Sequence, residues 1–164
     1  MKRALVLGLV VLLVIGSAVA ACSQTREWIV YNTDNSGLPH NSVYALAIDE
    51  QGNLWIGTYG GGLAKFDGEN WTVYNTDNSG LPHDRVRDLA IDEQGNKWIG
   101  TVGGGLAKFD GENWTVYDTA NSGLPDEQIM ALAIDEQGNL WIGTAGGGLA
   151  VYREGGVILT GVQE

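Results

Sequence analysis

The sequence predicts an all-β protein built from propeller-type blades, because one 43-residue unit occurs three times in the 164-residue chain. Trp28, Trp71 and Trp114 open the three copies at a constant step of 43. The copies 28–70 and 71–113 are identical at 36 of 43 positions, so the few differences between them stand out. A repeat of this length with glycine and asparagine turns is typical of blades that bury their apolar faces only against neighbouring blades.

Each copy carries the signals of four antiparallel strands. Alternating apolar residues begin at Val43, a glycine-containing turn follows at 49–53, and three glycines at 60–62 form the next turn. The predicted strands of this first blade are 43–48, 54–58, 63–66 and 71–74. Equivalent sets begin near Val86 and Ile129. The last set is predicted to end with a strand at 157–160, and residues 28–31 are predicted to form a spare outer strand.

Three blades are fewer than a closed propeller requires, since propellers typically close with four to eight. We therefore expect an incomplete propeller unless the chain oligomerises. The hypothesis is a homodimer that closes one six-bladed ring, in which the spare strand completes a blade of the other copy. An open three-blade arc and a truncated gene are the alternatives.

The first residues predict export from the cytoplasm. Lys2 and Arg3 precede an uncharged, mostly apolar stretch at 4–21, which is the pattern of a signal peptide. Cys22 follows as the single cysteine of the chain. This pattern predicts a signal peptide at 1–21, a short tether at 22–27 and a propeller-repeat domain at 28–164.

The run Val19-Ala20-Ala21-Cys22 resembles the lipobox of bacterial lipoproteins. The resemblance implies cleavage before Cys22, lipid attachment to its sulfur and anchoring in a bacterial membrane. In that family Ser23 is compatible with sorting to an outer membrane. An uncleaved signal anchor is the alternative, because 18 apolar residues can just span a bilayer.

The repeated string Leu-Ala-Ile-Asp-Glu-Gln-Gly-Asn-x-Trp-Ile-Gly-Thr-x-Gly-Gly-Gly-Leu resembles the two-component regulator propeller repeat. The resemblance extends from residue 28 to about 152. Larger members of that family are extracytoplasmic sensor regions of hybrid histidine kinases, many of them linked to detection of polysaccharide fragments. The resemblance therefore implies a sensory role, although this sequence departs from those members in carrying fewer blades and neither a kinase nor an immunoglobulin-like module.

The charge and the motifs argue against several functions. A net charge of −11 disfavours nucleic-acid binding, which depends on basic residues that replace counterions. His40 and His83 are interpreted as loop residues, since a general base also needs a positioned partner. The Gly-Gly-Gly runs lack the Gly-Lys-Ser/Thr continuation of a phosphate-binding loop and are interpreted as turns.

No metal, cofactor or catalytic residue is predicted. The three Asp-Glu-Gln-Gly-Asn segments have too few spaced oxygens for a calcium loop, and aspartate and asparagine are common in turns. No zinc-ligand spacing occurs. Twenty acidic residues leave a glycosidase-like carboxylate pair open, although nothing singles out two of them. The six tryptophans suggest either sugar stacking or packing between blades, and their strict recurrence favours packing.

Candidate ligand contacts come from positions where nearly identical repeats differ. The variable stretch at 40–45 and the point at 59 are expected to share the surface near the central channel. They give Tyr44, Tyr59, Arg85 and Arg87 as candidate ligand-binding residues. Paired arginines in an acidic protein can hold a carboxylate or sulfate. Neutral drift at exposed positions is the competing explanation.

The function predicted from these observations is a non-enzymatic, extracytoplasmic lipoprotein. Its blades would serve as a binding or sensory scaffold for a glycan, peptide or protein. One alternative is a propeller lyase or hydrolase that acts at the channel mouth, as in the streptogramin lyases. The other is a truncated fragment of a larger two-component sensor.

Overall fold

The computed structural model describes residues 27–159. The predicted signal peptide, Cys22 and Ser23 lie outside the described residues. Within the described range the regular structure is all β, arranged as three antiparallel sheets in chain order. No helix among these residues is long and apolar enough to cross a membrane. The predicted fold class is confirmed.

The first two blades have the four strands expected of them. The first consists of β1 (Val43–Ile48), β2 (Leu54–Thr58), β3 (Leu63–Phe66) and β4 (Trp71–Tyr74). The second consists of β5 (Val86–Ile91), β6 (Lys97–Thr101), β7 (Leu106–Phe109) and β8 (Trp114–Tyr117). In both, each strand pairs with the next along the chain. The strand boundaries predicted for the first blade agree with the structure.

The third blade has three strands within the described residues: β9 (Ile129–Ile134), β10 (Leu140–Thr144) and β11 (Leu149–Tyr152). The predicted fourth strand at 157–160 is wrong over residues 157–159, and residue 160 lies outside the described residues. Residues 157–159 are not in a strand, because Ile158 instead exchanges backbone hydrogen bonds with the Asn139 side chain. Residues 28–31 are also outside any strand, so the prediction of a formed strand there is wrong as well.

Consecutive blades pack through their first strands, since β1 lies beside β5 and β5 lies beside β9. A glycine in the second strand makes room for this contact. A Cβ atom on Gly57 would lie 2.6 Å from Val86 Cγ1, and one on Gly100 would lie 2.6 Å from Ile129 Cγ2. Val86 and Ile129 are completely buried at these junctions. The repeated Trp-Ile-Gly-Thr segment therefore encodes the junction as well as the strand.

The apolar cores lie between the blades. One core joins Trp55 and Leu63 of the first blade to Val86 and Ile99 of the second, and another joins the second blade to the third. The buried core residues range from Leu38 to Ile142, and every described strand lies between Val43 and Tyr152. The segment 23–164 thus contains the complete core of the described structure.

Candidate functional site

The four candidate ligand residues lie together where the first blade meets the second. Tyr44 occupies a register shift in β1, between the pairs Val43–Thr58 and Ala45–Gly57. Arg87 occupies the equivalent register shift in β5. A bulge of this kind re-aims a side chain and is common beside functional sites. Tyr59 and Arg85 face each other in an isolated antiparallel bridge between the two blades.

The side chains of these residues form two stacked pairs, which we call the Tyr–Arg cluster (Tyr44, Tyr59, Arg85 and Arg87). The guanidinium carbon of Arg85 lies 4.6 Å from the centre of the Tyr59 ring, and that of Arg87 lies 5.1 Å from the Tyr44 ring. The two tyrosine rings meet edge to face with centroids 5.5 Å apart. The structure brings all four candidates together, and their binding of a ligand stays a prediction.

The arginines of the Tyr–Arg cluster are not tied to an acid by a salt bridge within the described residues. Within residues 27–159 the one ion pair joins Lys108 to Glu154, at 3.1 Å, and neither Arg85 nor Arg87 takes part in a salt bridge. Stacking on tyrosine holds a guanidinium by its face and leaves the N–H groups on its edge available to a planar anion. Both tyrosines are partly exposed, so the cluster is open to solvent.

The two histidines have a local structural role beside the cluster. His40 Nδ1 accepts a hydrogen bond from the backbone N–H of Ser42, and His83 Nδ1 accepts one from Arg85, each at 2.9 Å. In the third repeat Asp126 Oδ1 accepts the same bond from Gln128. An acceptor for a backbone N–H two residues ahead is what the position requires, so the interpretation of both histidines as loop residues is confirmed.

The glycine runs connect neighbouring blades. The backbone N–H groups of Gly60 and Gly62 both donate to the carbonyl of Asp84 in the next blade, at 3.1 and 2.9 Å. Gly103 and Gly105 make the same bonds to Glu127. These amides are committed to backbone partners, so the interpretation of the runs as turns, not phosphate cradles, is confirmed.

The repeated aspartates hold turns and tryptophans. Asp135 Oδ1 accepts from two backbone N–H groups of its own turn, while Oδ2 accepts from the Asn139 amide and from the Trp141 indole at 2.8 Å. Desolvation opposes ionisation of Asp135, but the hydrogen bonds of Asn139 and Trp141 outweigh it and lower the pKa to about 2. The equivalent hydrogen bonds likewise lower the pKa of Asp49 despite desolvation.

These contacts confirm the interpretation of the three acidic segments as turns, because protein donors occupy the carboxylate oxygens. Among residues 27–159 no three metal-ligating side chains come together. The indole-to-aspartate bond was not predicted from the sequence. Its signal was the constant spacing of six residues between each aspartate and the following tryptophan, at Asp49–Trp55 and its equivalents.

The remaining tryptophans mostly pack against aromatic neighbours. Trp71 stacks on Phe66 at 4.6 Å, and Trp114 stacks on Phe109 at 4.5 Å. Packing between and within blades is therefore the role of Trp55, Trp71, Trp98 and Trp114, while Trp141 is held by its hydrogen bond to Asp135. Trp28 differs from them, since 85% of its surface is exposed.

The structure also contains a cleft that the sequence did not predict. It has a volume of about 460 Å³ and lies between the second and third blades, with Trp98, Lys108 and Arg153 among its lining residues. At the preceding junction the position of Leu140 is taken by Lys97, a buried side chain whose ammonium lies 5.0 Å from the Trp55 ring. Leu140 itself lines the cleft.

The fold and the junctions define a propeller-repeat protein, and comparison with known proteins agrees. Residues 37–60 and 123–146 match the family model described as "Two component regulator propeller". The two matched stretches agree with the resemblance that the sequence shows to this repeat family. No curated protein sequence shows significant similarity to the chain.

Several solved structures are similar to this chain. The extracellular domain of a protein assigned as a hybrid two-component system of B. thetaiotaomicron is 27% identical with a TM-score of 0.65, covering 76% of this chain and 18% of that one. PorZ, a surface component of the type-IX secretion system of Porphyromonas gingivalis, is 25% identical with a TM-score of 0.58, covering 73% and 19%. The chain spans less than a fifth of the length of these two relatives.

Virginiamycin B lyase from Staphylococcus aureus shares the fold at 16% identity and a TM-score of 0.51, covering 69% of this chain and 41% of the lyase. An identity this low shows common architecture and carries no information about activity. The more similar structures are domains of regulatory and surface proteins.

Proposed function

We propose that this protein is a non-enzymatic, extracytoplasmic binding module, tethered to a bacterial membrane through lipidated Cys22. The Tyr–Arg cluster would be its binding site for an anionic ligand. The observation that carries the proposal is the pair of arginines, stacked on tyrosines at two β-bulges and outside any salt bridge among the described residues. In a chain of net charge −11, such a pair forms a local cationic site.

The chemistry of the cluster favours a carboxylate or sulfate carried by a sugar. Each guanidinium can donate two parallel N–H bonds to such a group, and a charge-assisted bond contributes about 1.5–3 kcal/mol. The exposed parts of Tyr44 and Tyr59 supply apolar surface against which a sugar ring can pack. An acidic oligosaccharide satisfies both requirements, whereas a neutral one satisfies only the second.

A sensory role for the module is supported by the relatives. Two of them are extracellular domains of proteins assigned as a hybrid two-component system and a one-component system. We infer that ligand binding at the blades of this chain is likewise read by a partner in the cell envelope. The contacts of His40 do not favour the lyase alternative, because its Nδ1 is committed to the backbone of Ser42.

The proposal is tested by titrating the segment 23–164 with two acidic probes, oligogalacturonides and heparin-derived oligosaccharides, by isothermal calorimetry. Malto-oligosaccharides serve as the neutral comparison. We expect saturable binding of at least one acidic probe and a loss of tenfold or more in affinity in the double variant Arg85→Gln and Arg87→Gln.

Arg153→Gln is the control for a charge lost elsewhere, since it removes one arginine at the cleft by the same type of substitution and leaves the Tyr–Arg cluster unchanged. Equal binding by wild type and the double variant would refute the cluster as the site. Loss of binding in Arg153→Gln alone would move the site to the cleft.

A further inference from the structure

The first blade exposes the face that the other two blades bury. Val43 is 40% exposed, whereas Val86 and Ile129, at the same position of the next repeats, are 0% exposed. Leu46 and Ile48 of the same strand are also exposed. These side chains are apolar, like those that are buried where two blades meet. In the second blade the equivalent side chains are covered by the first blade, but no described residue covers them in the first blade.

The third blade exposes the complementary surface. Leu149 is 67% exposed, although its equivalents Leu63 and Leu106 are buried. Gly143 corresponds to Gly57 and Gly100, which receive a valine or isoleucine from the following blade. At Gly143 the nearest atom to an added Cβ is instead Ala131 Cβ, at 3.5 Å, so the recess is present and unfilled by any described residue.

The outer edge of the third blade also lacks a strand, because β11 pairs only with β10 among the described residues. The sequence equivalent of the missing strand is residues 28–31, which match β4 and β8 at the 43-residue step. This segment precedes the first blade and cannot serve as an outer strand of that blade, whose outer strand is β4.

The segment 28–31 already lies as the outer strand of a preceding blade would. The Tyr31 ring is 5.4 Å from Phe66 and 5.7 Å from Trp71, and Tyr74 makes the equivalent contacts with the second blade at 5.4 and 5.8 Å. The carbonyl of Val30 accepts a hydrogen bond from Asn35 Nδ2 at 2.9 Å, as Val73 does from Asn78 at 3.0 Å. The structure thus holds the segment 28–31 where the outer strand of an absent blade would lie, although the segment is not itself in a strand.

We propose that the absent blade is the third blade of a second copy of this chain. Its β11 would receive residues 28–31 as the fourth strand, in the register that β3 and β4 show. By the repeat step, the Cα pairs are Leu149–Tyr31, Ala150–Val30, Val151–Ile29 and Tyr152–Trp28. Trp28 then stacks on Tyr152 as Trp71 does on Phe66, and Val43 fills the recess at Gly143.

The junction also has defined backbone bonds. The backbone N–H of Gly62 donates to the Asp84 carbonyl of the next blade, and that of Gly105 donates to the Glu127 carbonyl. The backbone N–H of Gly148 is therefore expected to donate to the Asn41 carbonyl of the second copy. Both surfaces occur on every copy, so the contact is head to tail. Such a contact gives a closed ring when the total number of blades is one that a propeller can accommodate. Two copies give six blades, within the usual four to eight, whereas three copies would give nine.

The experiment measures the molar mass of segment 23–164 by light scattering across a wide concentration range. We expect a dimer that dissociates to a monomer in Gly143→Val, because the valine fills the recess that Val43 requires. The added Cβ makes an ordinary contact within the chain, so the circular dichroism spectrum should not change. Thr115→Val, which places a valine at the one exposed position of β8 by replacing a hydroxyl with a methyl group, is the control and should remain dimeric.

Trp28→Ser provides a second variant whose folding is not in question, since the indole is largely exposed. It should raise the dissociation constant of the dimer by tenfold or more. A wild-type monomer at all concentrations would overturn the proposal, as would a dimer that neither variant weakens. Open-ended higher masses would overturn the closed ring.

Discussion

Truncation of one buried valine should reveal how much of the stability resides at the blade junctions. Val86 is completely buried. Its Cγ1 atom packs against Gly57, in the space that a side chain on that glycine would occupy. Val86→Ala removes two methyl-sized groups, at about 0.8 kcal/mol each, and leaves a cavity that adds to this loss. We expect a decrease of about 2–3 kcal/mol in the free energy of unfolding.

Val43→Ala is the internal comparison, because Val43 occupies the same position of the preceding repeat. Its side chain is 40% exposed, so the same truncation removes less buried surface and leaves no closed cavity. We expect a loss of at most about 1 kcal/mol. Both changes should be made in the Gly143→Val background, in which the face of the first blade stays free.

Urea unfolding followed by tryptophan emission measures both losses, since Trp55 and Trp98 are buried beside these junctions. In a repeat protein, stability is approximately a sum of terms for each unit and each junction. Val86→Ala should therefore weaken the coupling between the first and second blades. Equal losses for Val43→Ala and Val86→Ala would refute the assignment of the stability to the junction.

Three further results are expected. The pKa of Asp135 is lowered from 3.8 to about 2 in the folded state. Its carboxylate therefore contributes stability above about pH 4, and this contribution is lost as the pH falls towards 2. Asp135→Asn should reduce that acid-induced loss, as measured by urea unfolding at a series of pH values. Gly62→Ala should destabilise by more than about 2 kcal/mol in thermal unfolding, because its Cβ would meet the Tyr74 carbonyl oxygen in a backbone of positive φ. Gly52→Ala, also at positive φ but in open space, should cost only about 1 kcal/mol, and equal losses at the two glycines would contradict this reasoning. Trp98→Phe should cost about 1.5–3 kcal/mol in urea unfolding, since the lost indole N–H donates to a carboxylate at 2.9 Å, and an unchanged stability would contradict the role of that bond.

Much of the fold could be predicted from the sequence because each strand signal is local and occurs several times. Alternation over 43–48 and the glycines at 60–62 fix strand and turn within one unit. The errors occurred at the two ends of the repeat array. A strand forms only where a neighbouring strand accepts its hydrogen bonds, and residues 28–31 have no such neighbour among the described residues. Ile158 bonds to the Asn139 side chain and not to the unpaired edge of β11.

The members of the Tyr–Arg cluster could be named from the differences between repeats, but their pairing could not. Stacking of Arg85 on Tyr59 joins the start of one blade to the end of a strand in the previous blade. The cleft was missed for the same reason, since its lining comes from two blades, with Trp98 and Lys108 of the second and Leu140 and Tyr152 of the third. Contacts between repeats depend on the angle between blades, which the pattern of one repeat does not contain.

The most direct measurement follows the side-chain Nε–Hε resonances of the arginines by NMR while an acidic oligosaccharide is added to segment 23–164. We expect the resonances of Arg85 and Arg87 to shift together and saturate at one ligand concentration, while that of Arg153 stays in place. Unchanged Arg85 and Arg87 resonances during saturable binding would contradict the assignment of the Tyr–Arg cluster as the binding site.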